Sequence, residues 1–210
     1  MRTGLVNAWL QGRAAKPLVF LAALLPLVTL VVGATAGSLG ANPAETLMRS
    51  TGDWTLRMLC LTLAITPLRQ AGGWHALLRL RRMLGLFTFF YGLLHFLCFA
   101  WLDMGFDLVE LLPDIVKRPF ITVGMVAWLL LLALAATSFN RAIKALGARR
   151  WQMLHRAVYA VAGLGVLHFF WMRAGKQLFG EVAIYAAILG ALLGWRLLRV
   201  WRRLRARAPA

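Results

Sequence analysis

RRMLGLFTFFYGLLHFLCFAW, residues 81–101, is the stretch of sequence that decides the fold. Two arginines precede 19 residues that include no Asp, Glu, Lys or Arg. About 20 apolar residues are enough for a helix to cross the hydrocarbon core of a bilayer. The stretch therefore predicts a membrane helix, and it carries one histidine, His95, in its second half. An ionisable side chain is costly in hydrocarbon, which makes His95 a candidate functional residue.

The same apolar character extends over most of the chain. Hydrophobic residues make up 61% of its 210 residues and the mean hydropathy is +0.72, whereas soluble domains are about half apolar. We therefore predict an all-α membrane protein, a six-helix transmembrane bundle that forms a single domain over residues 1–210. The predicted spans lie near residues 18–37, 54–68, 83–101, 121–138, 151–171 and 179–199.

Basic residues are unevenly distributed between the two sides of this bundle. With both termini in the cytoplasm, 18 of the 24 Lys and Arg residues lie in inner segments, and all seven Asp and Glu residues lie outside. An excess of basic residues in cytoplasmic segments sets the orientation of membrane proteins. The net charge of +17 is thus a topology signal and argues against nucleic-acid binding. We expect the basic tail RRLRAR, residues 202–207, to lie against anionic lipid headgroups.

Two more histidines, His155 and His168, lie in the fifth predicted span. At 1.5 Å per residue from the inner end of each span, His95 is about 18 Å deep, His168 about 25 Å and His155 about 6 Å. Neutral imidazole is a common axial ligand of haem iron. The similar depths of His95 and His168 predict one haem held edge-on between their helices, and His155 is left near the inner face.

Glycines and aromatic residues accompany the predicted pair. Gly92 and Gly165 each precede a histidine by three residues, so they share its helix face and are expected to leave room for a flat macrocycle. His155 and His168 are 13 residues apart, about 140° around an ideal helix, and a kink near Gly163 or Gly165 is expected to change that angle. Apolar walls are expected from Phe96, Phe99, Phe169 and Phe170.

Several alternatives stay open for these residues. Each histidine could instead be a neutral buried side chain that is hydrogen-bonded to a backbone carbonyl. The free-energy cost of burial in that role is lowest for His155, because it lies near the membrane interface. One haem is favoured, because a second bis-histidine haem would need a fourth histidine within the spans and there is none; a second haem at His155 nevertheless stays open. His75 is expected in an inner loop. Arg81 and Arg82 are either topology signals or contacts for haem propionates, a flavin phosphate or a quinone, because guanidinium suits planar anions.

Other features separate the remaining classes of protein. The outer segment 102–120 carries four acidic residues and is either a solvated loop or a docking surface for a periplasmic protein. If the chain were a transporter, polar groups would be expected to meet near the middle of the membrane. The predicted spans contain few polar groups apart from histidine, which argues against a transporter. No Gly-x-Gly-x-x-Gly follows a strand pattern, so a nicotinamide donor would be a separate protein. A self-standing transmembrane reductase of metal ions or oxygen, and a passive membrane anchor of a partner, stay open as alternatives.

Six ordered stretches of the chain resemble the MsrQ family, formerly YedZ, of the ferric-reductase-like membrane superfamily. Together they extend over most of residues 42–172, and they are followed by a matching histidine, His168. The stretches are NPAE at 42–45, STGDW at 50–54, LAITPLR at 63–69, RRMLGLFTFFYGLLH at 81–95, DIVKRPFITVG at 114–124 and WQMLHRAVY at 151–159.

The resemblance implies a haem-bearing inner-membrane subunit of a methionine-sulfoxide reductase system. It implies b-type haem with His95 and His168 as ligands and His155 as a third candidate, and it implies a bound FMN whose contacts no motif of this chain locates. It further implies that electrons from the quinone pool or a cytoplasmic flavin reductase pass to a periplasmic molybdenum-cofactor partner, MsrP. On this interpretation the chain is an electron-transfer subunit and its partner is the catalytic one.

Overall fold

The computed structural model describes residues 2–175, 177 and 179–206, and within these it contains helices and short connections but no strand. Lys176 and Arg207, which entered the charge analysis, lie outside the described residues. The helices are α1 (Arg2–Gln11), α2 (Ala15–Thr35), α3 (Pro43–Ala71), α4 (Arg81–Cys98), α5 (Leu108–Lys117), α6 (Pro119–Ala136), α7 (Asn140–His155), α8 (Val158–Ala174) and α9 (Gly180–Arg205). A 3-10 helix (His75–Leu80) precedes α4 and a π-helical turn (Phe99–Asp103) follows it.

Five helical segments are long and apolar enough to cross a membrane. They are Ala15–Thr35, His75–Asp103, Pro119–Ala136, Asn140–Ala174 and Gly180–Arg205. Their outward faces carry many exposed aliphatic and aromatic side chains; Leu21 and Val32 on α2 are 60% and 58% exposed. An apolar surface of this extent is typical of a lipid-facing bundle. The predicted all-α membrane class is confirmed.

Helix α3 is not among these five, although it is 29 residues long. Charged residues recur along it, from Arg49 through Asp53 and Arg57 to Arg69, and lower its mean hydropathy. Its N-terminus is well specified, because the Asn42 side chain accepts a hydrogen bond from the Glu45 N–H and Pro43 occupies the first turn. The segment predicted as a short span at 54–68 thus lies within a much longer helix, mostly in its C-terminal half.

Two hydrophobic clusters lie on either side of α3 and place it inside the bundle. Met58 and Ile65 pack with residues of α2 and α4, including Ala23 and Tyr91. Leu59 and Leu63 pack with residues of α6, α8 and α9. A helix that is surrounded by protein needs less apolar surface than one that faces lipid. The low mean hydropathy of α3 therefore does not reflect its central position in the packing of the helices.

Three local elements differ from the sequence predictions. The α-helical hydrogen bonding of the fifth predicted span is interrupted at residues 156–157, between α7 and α8, where Arg156 and Ala157 keep right-handed helical backbone angles. The kink with non-helical angles is at Gly147 in α7 (φ 73°, ψ 156°), whereas Gly163 and Gly165 lie inside α8. The outer segment 102–120 is not an unstructured loop, because it contains the π-helical turn and α5. His75 begins the 3-10 helix, which α1 holds in place through hydrogen bonds between the Asn7 side chain and the Gly73 and Ala76 backbone.

Candidate functional site

His95 lies near the C-terminal end of α4, and its ring faces α3. The Nδ1 atom is 2.8 Å from the backbone oxygen of Met48. A carbonyl oxygen only accepts hydrogen bonds, so Nδ1 carries the proton and Nε2 keeps its lone pair. The ring also lies against Gly52: a Cβ atom at that position would be 3.1 Å from Cε1 and 3.2 Å from Nδ1 of His95.

His168, on α8, repeats this arrangement with α6. Its Nδ1 atom is 2.7 Å from the backbone oxygen of Phe120, so the same tautomer results. A Cβ atom at Gly124 would be 2.8 Å from Nδ1 and 2.9 Å from Cε1 of His168. Metal-binding histidines usually donate their second N–H to a carbonyl or carboxylate, which fixes the tautomer and orients the ring.

The two rings lie next to each other, with centroids 6.1 Å apart and planes at 76°. If both Nε2 atoms bound the same metal ion, each metal–nitrogen bond would be about 2 Å long. Each bonded nitrogen lies about 1 Å from its ring centre, so the two centroids would be about 6 Å apart. Within the part of the chain that the structure describes, neither Nε2 atom has a hydrogen-bond partner. The donor set and spacing thus fit two axial ligands of one haem iron, although the ligand role of these histidines stays a prediction.

The residues predicted to surround the macrocycle have other partners. A Cβ atom at Gly92 would meet Leu131 at 3.4 Å, and one at Gly165 would meet Leu56 at 3.4 Å. These glycines therefore serve the packing of their helices against α6 and α3, where small residues allow close approach. The two glycines that touch the imidazoles, Gly52 and Gly124, lie on the neighbouring helices.

The predicted aromatic walls differ in the same way. Phe96 stacks on Trp128 at a centroid distance of 4.7 Å, Phe169 contacts Tyr185 at 5.9 Å, and Phe170 stacks on Phe179 at 5.4 Å. The aromatic ring next to His168 is Phe120, at 6.4 Å. Sequence reasoning missed Phe120 because its proximity depends on the packing of α6 against α8 and not on spacing along one helix.

His155 lies apart from this pair, on the other side of the break that separates α7 from α8. Its ring stacks on Trp151 at 4.0 Å, and its Nε2 atom is 3.2 Å from the hydroxyl oxygen of Thr137. The Trp151 indole N–H donates to the Thr137 backbone oxygen, which ties this group to the end of α6. The structure thus brings His95 and His168 together and leaves His155 in a separate polar group.

Arg81 and Arg82 begin α4, 14 and 13 residues before His95. These separations correspond to about 21 Å and 20 Å along the helix, so the two arginines and His95 lie at opposite ends of α4. Arg82 donates to the Asn140 side chain at 2.9 Å, and Arg81 lies within electrostatic range of His155 and Arg196. Their predicted contact with haem propionates, a flavin phosphate or a quinone stays a prediction.

A charged residue that the sequence analysis treated only as a loop charge lies close to the histidine pair. Arg173 follows His168 by five residues on α8 and is only 9% exposed. Its guanidinium forms an ion pair with Glu181 at 2.6 Å and lies 5.2 Å from the centre of the Phe169 ring. A buried charge requires such a partner, so this pair joins the C-terminal end of α8 to the N-terminal end of α9.

The chain is similar in sequence to known membrane proteins. The family model described as "Ferric reductase like transmembrane component" matches residues 51–166, the range that holds Gly52, His95, Gly124 and His155. The chain is 58% identical to the protein-methionine-sulfoxide reductase heme-binding subunit MsrQ of Polaromonas naphthalenivorans over 95% of this chain and 94% of that protein. The chain belongs to the MsrQ family.

Other members of the MsrQ family match at similar length. The protein of the same name from Ralstonia nicotianae is 54% identical over 94% of this chain and 91% of its own. That of Xanthomonas campestris pv. campestris is 46% identical over 92% and 89%. No solved structure matches. Family membership and the five apolar helices make this MsrQ-family chain a multi-pass membrane protein, and its bacterial relatives fit the inner membrane.

Proposed function

We propose that this chain is the haem b electron-transfer subunit of a periplasmic methionine-sulfoxide reductase system. The observation that carries the proposal is the His95–His168 pair: two imidazoles on different membrane helices, 6.1 Å apart, each with its Nδ1 bonded to a backbone carbonyl. The relatives named above are heme-binding subunits of this system, and this chain covers nearly their whole length.

His95 and His168 would hold the iron of a single haem between α4 and α8. The haem, when bound, supplies a one-electron carrier whose potential depends on its axial ligands, their hydrogen bonds and burial. The protein contributes the orientation of both imidazoles through the carbonyls of Met48 and Phe120. Both imidazoles are part-buried between the helices.

The orientation in the membrane follows from the charges. We infer six spans, with α3 as the sixth, and both termini in the cytoplasm, which leaves the His95–His168 pair near the periplasmic end of α4 and α8. This position suits delivery of electrons to a periplasmic partner, an MsrP-type molybdenum-cofactor subunit that carries out the reduction. The donor, quinone or a cytoplasmic flavin reductase, would approach the inner end.

The inner end offers a separate group of residues for that contact. Arg81 lies within electrostatic range of both His155 and Arg196, and Arg196 donates to the Tyr159 hydroxyl at 2.7 Å. Guanidinium groups suit the phosphate of FMN or the head of a quinone. A second haem with His155 as ligand would require the imidazole to leave the Thr137 hydroxyl, and we therefore propose one haem per chain.

The proposal is tested by the absorption spectrum of the detergent-purified chain, oxidised and dithionite-reduced, with haem counted as the pyridine haemochrome. We expect about one b-type haem per chain, because two axial histidines complete a single iron. His95→Ala and His168→Ala should each abolish the Soret band, while His75→Ala, at an exposed position on the 3-10 helix, should retain it. His155→Ala should retain it as well.

Each other outcome has a definite meaning. Unchanged haem in His95→Ala would refute the ligand assignment, and loss of about half the haem in His155→Ala would establish a second haem. Absence of haem from protein made with ample haem supply would favour a passive anchor. Reduction of ferric ions or oxygen by the reduced chain at the rate of the whole system would favour a self-standing reductase.

A further inference from the structure

The two imidazoles are held in matching sockets on different helices. In each socket a backbone carbonyl at position i accepts the imidazole N–H, and a glycine occupies position i+4: Met48 with Gly52 on α3, and Phe120 with Gly124 on α6. We propose that Gly52 and Gly124 are positioning residues that keep these two carbonyls open to the histidines. This inference rests on the proposed function, in which His95 and His168 bind haem.

Helix geometry explains why the glycine lies four residues after the carbonyl. Each carbonyl at i already accepts the N–H of residue i+4 and has a second lone pair to offer. The Cα–Cβ bond tilts toward the helix N-terminus, so a side chain at i+4 covers the surface over the carbonyl at i. At these two positions a Cβ atom would lie within about 3 Å of the ring that approaches this lone pair, whereas glycine leaves the approach open.

The distances show how little space each socket leaves. A Cβ atom at Gly124 would lie 2.8 Å from Nδ1 and 2.9 Å from Cε1 of His168, and 3.4 Å from Cγ. These atoms belong to a rigid ring whose Nδ1 is held by the Phe120 oxygen, so the methyl group would displace the whole imidazole. At Gly52 the nearest ring atoms of His95 would be at 3.1 and 3.2 Å, and a smaller displacement would be enough.

Two other glycines provide matched controls in the same bundle. Gly92 lies on α4 and Gly165 on α8, each three residues before a histidine, and a Cβ atom at either would meet its nearest neighbour at 3.4 Å. That is an ordinary van der Waals contact with a leucine side chain. An alanine there tests the general effect of adding a methyl group to a membrane helix without touching an imidazole.

The expected consequences are those of losing the hydrogen bond to Nδ1. Loss of such a partner typically weakens metal binding about 10-fold to 100-fold. The bond also makes the imidazole more basic and favours ferric iron, so its loss should raise the midpoint potential of the haem that remains. We expect the effect to be largest in Gly124→Ala, smaller in Gly52→Ala, and negligible in Gly92→Ala and Gly165→Ala.

The experiment uses the full chain, purified in detergent. Haem per chain, the midpoint potential and the binding of carbon monoxide to the dithionite-reduced protein are measured for all four variants. A haem with two firm histidine ligands leaves no position for carbon monoxide, so binding reports a displaced imidazole. The expected result is reduced haem affinity, a raised potential and carbon monoxide binding in Gly124→Ala, with intermediate values in Gly52→Ala.

A second comparison separates the contact with the ring from general damage to the fold. Gly124→Ala is also made together with His168→Ala, and the thermal midpoint and yield of the haem-free protein are compared with those of His168→Ala alone. If the methyl group acts through the imidazole, it should have no further effect once the imidazole is removed. An equal loss of stability or yield in both backgrounds would overturn the inference.

Failure of this inference is distinguishable from failure of the proposed function. If haem in the unaltered chain does not depend on His95 and His168, the proposed function fails. If haem does depend on both histidines, but Gly52→Ala and Gly124→Ala behave like Gly92→Ala and Gly165→Ala, only the positioning role is refuted.

Discussion

At the scale of single residues, the sequence indicates which side chains are candidate functional residues, but it does not indicate which groups hydrogen-bond to them. His95 and His168 could be selected because an imidazole in an apolar span is costly. Their acceptors are backbone oxygens 47 and 48 residues away in sequence, and a backbone oxygen has no sequence signature. The glycines that open those oxygens were present in the motifs at 50–54 and 114–124, but their role depends on which helices pack together.

Tyr91 illustrates a residue whose role is structural and whose energetics can be predicted. It is fully buried in the α2–α3–α4 cluster, and its hydroxyl donates to the backbone oxygen of Ala23 on α2 at 2.7 Å. Tyr91→Phe removes one hydrogen bond and keeps the ring, so we expect a loss of about 1 kcal/mol in the free energy of unfolding. Tyr91→Ala should cost about 3–5 kcal/mol, because it also leaves a cavity.

Unfolding of the purified chain in mixed detergent micelles, followed by circular dichroism, measures both changes. Equal losses in the two variants would mean that the hydroxyl, and not the packing of the ring against Phe87 and Trp54, dominates the contribution of Tyr91.

At the scale of helices, the hydropathy pattern locates elements that face lipid more reliably than elements that face protein. The spans around α2 and α6 were predicted within three residues at each end because their apolar surface is exposed to lipid, whereas α9 continues six residues beyond its predicted span into the basic C-terminal segment. Helix α3 was predicted at half its length, since its N-terminal half contains Arg49 and Asp53. A kink was considered at Gly163 or Gly165, whereas the kink is at another glycine, Gly147, and the only change at Arg156 and Ala157 is a local interruption of the α-helical hydrogen bonds.

Helix α5 was not predicted as a helix, and its surface supports a specific expectation. Val109, Leu112 and Val116 lie on one exposed face and are 81%, 63% and 77% exposed, while Glu110 and Lys117 lie beside them. Leu111 on the opposite side is buried. Such an amphipathic helix between two spans is typical of one that lies in the membrane interface.

We therefore expect the Val109–Leu112–Val116 face to contact lipid in the outer leaflet. Single cysteines at Leu112 and Val116, in a chain whose Cys60 and Cys98 are replaced, would carry an environment-sensitive fluorophore in reconstituted vesicles. Its emission should be blue-shifted at these positions and water-like at a matched cysteine at Glu110. A label at Leu112 that is water-like in the isolated chain and becomes shielded only when the periplasmic partner is added would instead identify this face as a docking surface.

At the scale of the whole molecule, the two ends of the bundle have different chemistry. The paired histidines and the buried Arg173–Glu181 ion pair lie toward one end. The arginines of α4 and α9 lie toward the other, where Arg196 donates to the Leu63 backbone oxygen at 2.6 Å and to the Tyr159 hydroxyl. The sequence predicted this polarity through its charges alone, because the distribution of basic residues depends on topology and not on packing.

The same charges fix the expected orientation of the molecule. Green fluorescent protein, which fluoresces only when it folds in the cytoplasm, should fluoresce when fused after Ala210. Alkaline phosphatase, which is active only in the periplasm, should be active when fused after Asp107, between the π-helical turn and α5, and inactive when fused after Gly73. Activity after Gly73 would place α3 outside the membrane or invert the bundle. Either arrangement would move the His95–His168 pair to the cytoplasmic side, where it could not serve a periplasmic partner.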